Sequence, residues 1–205
     1  MAQEDTPEST KFDPYKEQFS DFISDFMGES DRACVMLSSA KLETLLRNLI
    51  EKFLVPIPTS EDDLLDGDAP LSTFSARIRA VHRLGLIDDQ FAKLLHIFRR
   101  LRNSFAHEIT SSDLCSGSAR DRVLALTEPF TDSPFFRSIV NLSSKTTGRD
   151  PEDPGVLFRA IVACFYMHLH ITYKSIKTLT ANSKWTIKNF FESIELQETE
   201  RPTKL

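Results

Sequence analysis

Apolar residues along this 205-residue chain recur mostly at three-and-four spacing, the signature of helix faces rather than of strands. Asp13-Pro14 predicts a helix start, followed by a face of Phe12, Tyr15, Phe19, Phe22, Ile23 and Phe26 that stops at Gly28. A second helix is expected from Ser30-Asp31 to just before Pro56, with Ala33, Leu37, Ala40, Leu45, Leu49 and Phe53 among its apolar positions. The stretch "PIPTSEDDLLDGDAPLS" reads as a connector, after which Ser72 or Thr73 can cap a helix carrying Phe74, Ile78, Val81 and Leu84 before Gly85. Asp88-Asp89 caps a fourth helix whose stripe is Leu94, Leu95, Phe98, Leu101 and Phe105. Residues 111–155 read as a short helix near 118–127 and then a loop over about 128–155, rich in Ser, Thr, Gly and Pro. A long apolar helix is expected from about Val156 to Leu179, and "KWTIKNFFESIEL" suggests a short terminal one.

With no convincing alternating run, this pattern predicts an all-α, single-domain helical bundle. Its bounds are read as 12–197, between an acidic, disordered tail at 1–11 and a flexible C-terminus at 198–205. The length suits one good core rather than two.

Charge refines the picture. The net charge is −5, yet residues 1–31 hold nine of the 30 Asp/Glu and only two of the 25 Lys/Arg, so the rest of the chain is near neutral. Between Arg77 and Arg102 lie six Arg and Lys93 against Asp88 and Asp89, with His82 and His96 interspersed. Such a cluster is either a solvated helix surface or a cradle for a phosphate chain, in which case Arg77, Arg79, Arg99 and Arg100 are the RNA-binding candidates. Three cysteines without CxxC or His-paired spacing fit a reduced, cytoplasmic protein. The most apolar run, "AIVACFYMHLHITY", is interrupted by His168 and His170, which argues against a membrane span.

Several chemistries are excluded by spacing. Read as a calcium loop from Asp62, "DDLLDGD" has Leu64 at the third ligand position and Thr73 at the twelfth. "HEITS" at His107 lacks the second His of a zincin, and His168 and His170, two apart, project from different helix faces. No GxxxxGK[ST], GxGxxG or GxSxG occurs. The only candidate recognition helix for DNA opens on two acids, where phosphates would lie, so sequence-specific DNA binding is not expected.

Arg102 stands out, because it falls on the apolar stripe of the fourth helix. A charge there needs a partner, an interface or a site. Asn103 and His107 are an i, i+4 pair and can touch. Arg102 and His107 are separated on a straight helix by about 140° and roughly 7.5 Å of rise, so a composite site needs either a loosened helix end or two copies packed across a dimer axis. In such a site His107 would take a proton from a ribose 2′-OH and Arg102 would stabilise the phosphorane, giving a 2′,3′-cyclic phosphate and a 5′-OH without metal or cofactor. Asn103 would orient the imidazole or a phosphate oxygen.

"RNSFAH" resembles the Arg-polar-x-x-x-His signature of the HEPN superfamily, α-helical domains that include metal-independent endoribonucleases acting as homodimers. A longer stretch, Asp31 to Glu108 with its "APLSTFSAR…LGLI…RNSFAH" run, is similar to the mannitol operon repressor (MltR-type) family, with Ala69 where that family's run has Gly. The resemblance implies an all-α fold, a homodimer, and Arg102, Asn103 and His107 as site positions. It also implies an acidic partner at Glu43, able to pair with Arg102. Three functions follow: an endoribonuclease of toxin, defence or RNA-regulatory type, for which an antitoxin would be the protein partner, a non-catalytic transcriptional regulator working through a protein or RNA, or a dimeric helical interaction protein.

Overall fold

The computed structural model describes residues 23, 26–107 and 113–181. Six α-helices follow in order: α1 (Asp31–Phe53), α2 (Phe74–Arg83), α3 (Asp89–His107), α4 (Gly117–Thr127), α5 (Pro134–Thr147) and α6 (Pro154–Ser175). A 3₁₀ turn at Glu128–Phe130 joins α4 to α5, and no strand occurs among the described residues. Ile23, Phe26 and Met27 end a helix that turns at Gly28, as the pattern predicts. The start of that helix, the acidic tail and the expected "KWTIKNFFESIEL" helix lie outside the described residues.

The centre of the bundle is α6, which packs on α1, α4 and α5, while α3 packs on α1, α2 and α4. Aromatic contacts seal the middle: Phe98 stacks on Phe158 at 5.8 Å, and Phe91 meets Phe165 edge-on at 5.0 Å. Among the described residues α6 alone has the length and apolarity to cross a membrane, and 72% of that apolar window is buried inside the fold. The described helix ends at Ser175, short of Leu179; Ile176 turns extended and the Leu179 N–H donates to the Phe53 carbonyl at 2.8 Å.

Helix starts are set by short polar side chains. Ser30, Thr73 and Ser133 accept hydrogen bonds from the N–H groups of Ala33, Ala76 and Phe136, and Asp88 and Asp153 do the same for Phe91 and Gly155.

Two expectations are corrected. The first is the loop at about 128–155, half of which is α5. Its punctuation is that of a helix: Ser133 as cap, Pro134 in the first turn and Gly148 closing it at φ 67°. The Ser/Thr content misleads because Ser138, Thr146 and Thr147 return their hydroxyls to carbonyls four residues back, while Phe136 and Val140 face the core.

The second correction is the register of α1. Its buried face runs through Cys34, Val35, Ser38, Ser39, Leu42, Leu46, Leu49 and Ile50, so only Leu49 of the expected apolar set is fully buried, and Leu37 is exposed. Ser38 lies on the core face because its hydroxyl donates to the Cys34 carbonyl at 2.6 Å, which hides its polarity.

Candidate functional site

The C-terminal half of α3 carries the residues that the RNxxxH pattern singles out. With Phe91, Leu94, Leu95, Phe98, Leu101 and Phe105 turned to the core, the spacing i, i+4, i+7, i+11 aligns His96, Arg100, Asn103 and His107 on the opposite face. Arg102 sits at the border between the two faces, half-buried. Its Nη1 donates to Asn103 Oδ1 at 3.2 Å, so the stem covers apolar surface while the head reaches a polar neighbour. The Nε atoms of Arg102 and of Arg99, one turn earlier, are buried without an acceptor among the described residues.

Next to this border, Arg122 of α4 donates to Ser104 at 3.3 Å and to Ser118 at 3.2 Å, adding a cation that the sequence pattern had not flagged. His107 is the last residue of α3 and is exposed. Because α3 stays regularly α-helical to that point, Arg102 and His107 remain about 140° apart, and one chain does not bring them together.

Glu43 does not pair with Arg102. Its Oε1 lies 3.4 Å from Nη1 of Arg77, which is 8% exposed and also donates through Nε to the Leu71 carbonyl at 2.9 Å and through Nη2 to the Leu65 carbonyl at 3.4 Å. Arg77 therefore pins the connector to α1 and α2, and its donors are turned inward rather than toward a ligand. The cause is topological: α2 lies directly on α1, bringing Arg77 to Glu43 across 34 residues.

Arg79 and Arg100 are exposed and Arg99 is half-buried. Together with His82 they surround His96, whose imidazole is held below its ordinary pKa first by burial and then by the positive charge of Arg99, Arg100, Arg79 and His82. His82 is itself 2.6 Å from Asp89. The α2–α3 surface is thus a compact basic patch suited to anionic groups. Among the described residues, no three His, Cys, Asp or Glu side chains gather as a metal site.

The most buried charge among the described residues lies elsewhere. Arg159 of α6, 2% exposed, donates to Asp31 Oδ1 at 2.9 Å, to the Gly155 carbonyl at 2.8 Å, and to the Met27 and Glu29 carbonyls. Arg149 reaches the same Asp31 at 2.7 Å and Asp153 at 2.9 Å. Burial alone would raise the Asp31 pKa, but hydrogen bonds and charge from Arg149 and Arg159 hold it below the usual carboxylate range. The one sequence signal for this network was Arg159, a lone charge in the apolar run "GVLFRAIVACF".

A solved protein chain shares this fold. It comes from the X-ray structure of the MtlR–HPr complex from Escherichia coli, and matches with a TM-score of 0.53 at 16% identity, covering 77% of this chain and 99% of its own. At that identity the correspondence is one of fold, and it extends well beyond the Asp31–Glu108 stretch that resembles the mannitol operon repressor family. No family model matches the chain, and no curated protein matches it.

Proposed function

We propose that this chain is a non-catalytic helical regulator that works by binding a protein partner. The observation that carries this reading is the fold correspondence with a chain solved in a complex named for MtlR and HPr, over nearly the whole of that chain. It is supported by the state of the expected catalytic set: Glu43 is held by Arg77, Arg102 by Asn103, and His107 stands on a different helix face from Arg102. Titration of the purified protein with HPr, followed by calorimetry, tests it. Saturable binding is expected. No heat with HPr, together with RNA cleavage, would overturn it.

A second reading is favoured by one feature, the buried Nε atoms of Arg99 and Arg102 that lack acceptors beside a face bearing Asn103 and His107. In this reading two copies pack α3 against α3, and the basic patch of Arg79, Arg99 and Arg100 holds RNA. His107 of one copy then removes the 2′-OH proton while Arg102 of the other stabilises the phosphorane. Incubation with mixed RNA in EDTA decides between them. Intact RNA fits the regulator; fragments ending in 2′,3′-cyclic phosphates, absent with Arg102→Ala and His107→Ala, establish the nuclease.

A further inference from the structure

A groove of about 580 Å³ opens where the C-terminal end of α1 meets the connector. Val55, Ile57, Leu64 and Leu179 line it, each more than two-fifths exposed, which groups four large aliphatic side chains in one open depression. Isolated surface aliphatics are ordinary; a contiguous set around a concavity marks an interaction site. Its rim is acidic, with Glu51, Glu61, Asp62, Asp63 and Asp66.

Among the described residues the rim's one cation, Arg47, is already held between Glu51 and Asp66, at 2.6 Å from each. Neither Glu61 nor Asp63 forms a salt bridge among the described residues. The wall is also built in advance of any ligand. Asp66 Oδ2 accepts from the Asp62 N–H at 2.9 Å, Asp62 Oδ1 accepts from the Leu64 N–H at 2.8 Å, and Arg47 and Arg77 both donate to the Leu65 carbonyl. A pre-ordered wall loses little freedom on binding.

We propose that this groove seats an apolar, Lys/Arg-flanked segment of a protein partner, an inference that rests on the regulator reading and names its docking surface. Charge complementarity selects the occupant. The carboxylates repel RNA, DNA and anionic membranes, as well as the chain's own acidic N-terminal stretch, whereas aliphatic anchors with flanking cations match both floor and rim.

The test is fluorescence anisotropy with a labelled amphipathic helix of Lys and Leu, about 18 residues long, and its Glu/Leu counterpart as control. The Lys/Leu helix should bind and the Glu/Leu helix should not. Glu61→Lys with Asp63→Lys should weaken binding by about tenfold or more, through the rim charges. Ile57→Ser with Leu64→Ser should weaken it by a similar factor, through lost apolar burial. All four positions are exposed, so circular dichroism should be unchanged.

Absence of Lys/Leu binding, or binding indifferent to the Ser pair, overturns the proposal. So does a doubled mass in light scattering that the Lys pair returns to monomer, which would assign the groove to a second copy of this chain. If HPr binds and both pairs leave that binding intact, the groove fails while the regulator reading stands. If HPr does not bind and the protein cleaves RNA, while the Lys/Leu helix binds with both sensitivities, the groove stands and that reading fails.

Discussion

Replacing Asp31 by Ala is the most informative single perturbation of this fold. Asp31 is the anion shared by Arg159 and Arg149, and its side chain is 12% exposed against 2% for Arg159 and 31% for Arg149. Arg149 can turn to water and keep Asp153, so its half of the network is worth little. Arg159 cannot. Without Asp31 its guanidinium keeps the Met27, Glu29 and Gly155 carbonyls as acceptors but has no counter-charge in a buried site. Breaking a buried pair by removing one partner costs about 3–5 kcal/mol. For a chain of this size that lowers the melting temperature by roughly 6–20 °C.

Acid supplies an independent check. Because the folded-state pKa of Asp31 is depressed, its contribution is fully present above the unfolded carboxylate value of about 3.9 and disappears as pH falls through the folded value. The gap in melting temperature between wild type and Asp31→Ala should therefore be constant near neutrality and narrow below about pH 4. Differential scanning calorimetry across that range measures both effects, with Asp132→Ala, which removes the exposed pairing to Arg137, expected to match wild type. A variant that melts within about 2 °C of wild type at pH 7, or a gap that persists undiminished in acid, would refute the assignment of Asp31 as the counter-ion of Arg159.

Other expectations follow from local geometry. A Cβ at Gly155 would lie 2.5 Å from Arg149 Nη1 and 2.7 Å from Asp31 Oδ1, so Gly155→Ala should cost about 1–3 kcal/mol in urea unfolding, and less in an Arg149→Ala background, where only the Asp31 contact remains. Arg77→Met leaves the Leu65 and Leu71 carbonyls without their donor and Glu43 without its cation; about 2–3 kcal/mol of stability should be lost, with faster proteolysis between residues 56 and 72. His96, held below its ordinary pKa, should titrate by NMR below about 6.5 and move upward in Arg100→Ala. The sign is that of a His kept neutral: its contribution to stability is present above about pH 6.5 and is lost as pH falls through the folded value.

How far the sequence could be read depended on how each helix hides its polar groups. The faces of α2 and α3 are strongly one-sided and begin at Thr73 and Asp88 caps, so periodicity and punctuation agree with the structure. On α1 the same reasoning found the ends but missed the register, because Ser38 and Ser39 are buried where a hydrophobic template expects Leu37 and Ala40. The α5 helix was hidden by hydroxyls that bond within their own turns. At the candidate site, the alignment of Asn103 and His107 was legible, since i, i+4 spacing is a local property. The partnership of Glu43 with Arg77, and of Asp31 with residues 118 and 128 positions away, was not, because only tertiary packing sets it.

The straightness of α3 also fixes how the nuclease reading can be tested against the regulator reading. A single chain separates Arg102 and His107 by about 140°, so any cleaving site must take its Arg from one copy and its His from another. Arg102→Ala and His107→Ala proteins, each inactive alone, should then recover activity when mixed and allowed to exchange subunits. In a heterodimer of the two, one of the two composite sites is intact, and random exchange makes half the dimers heterodimers, so recovery should reach about a quarter of the wild-type rate. The regulator reading expects no cleavage from wild type, from either variant or from the mixture. Wild-type cleavage that both substitutions abolish and mixing fails to restore would refute a shared Arg102–His107 site, because subunit exchange regenerates the only arrangement that a continuous α3 allows.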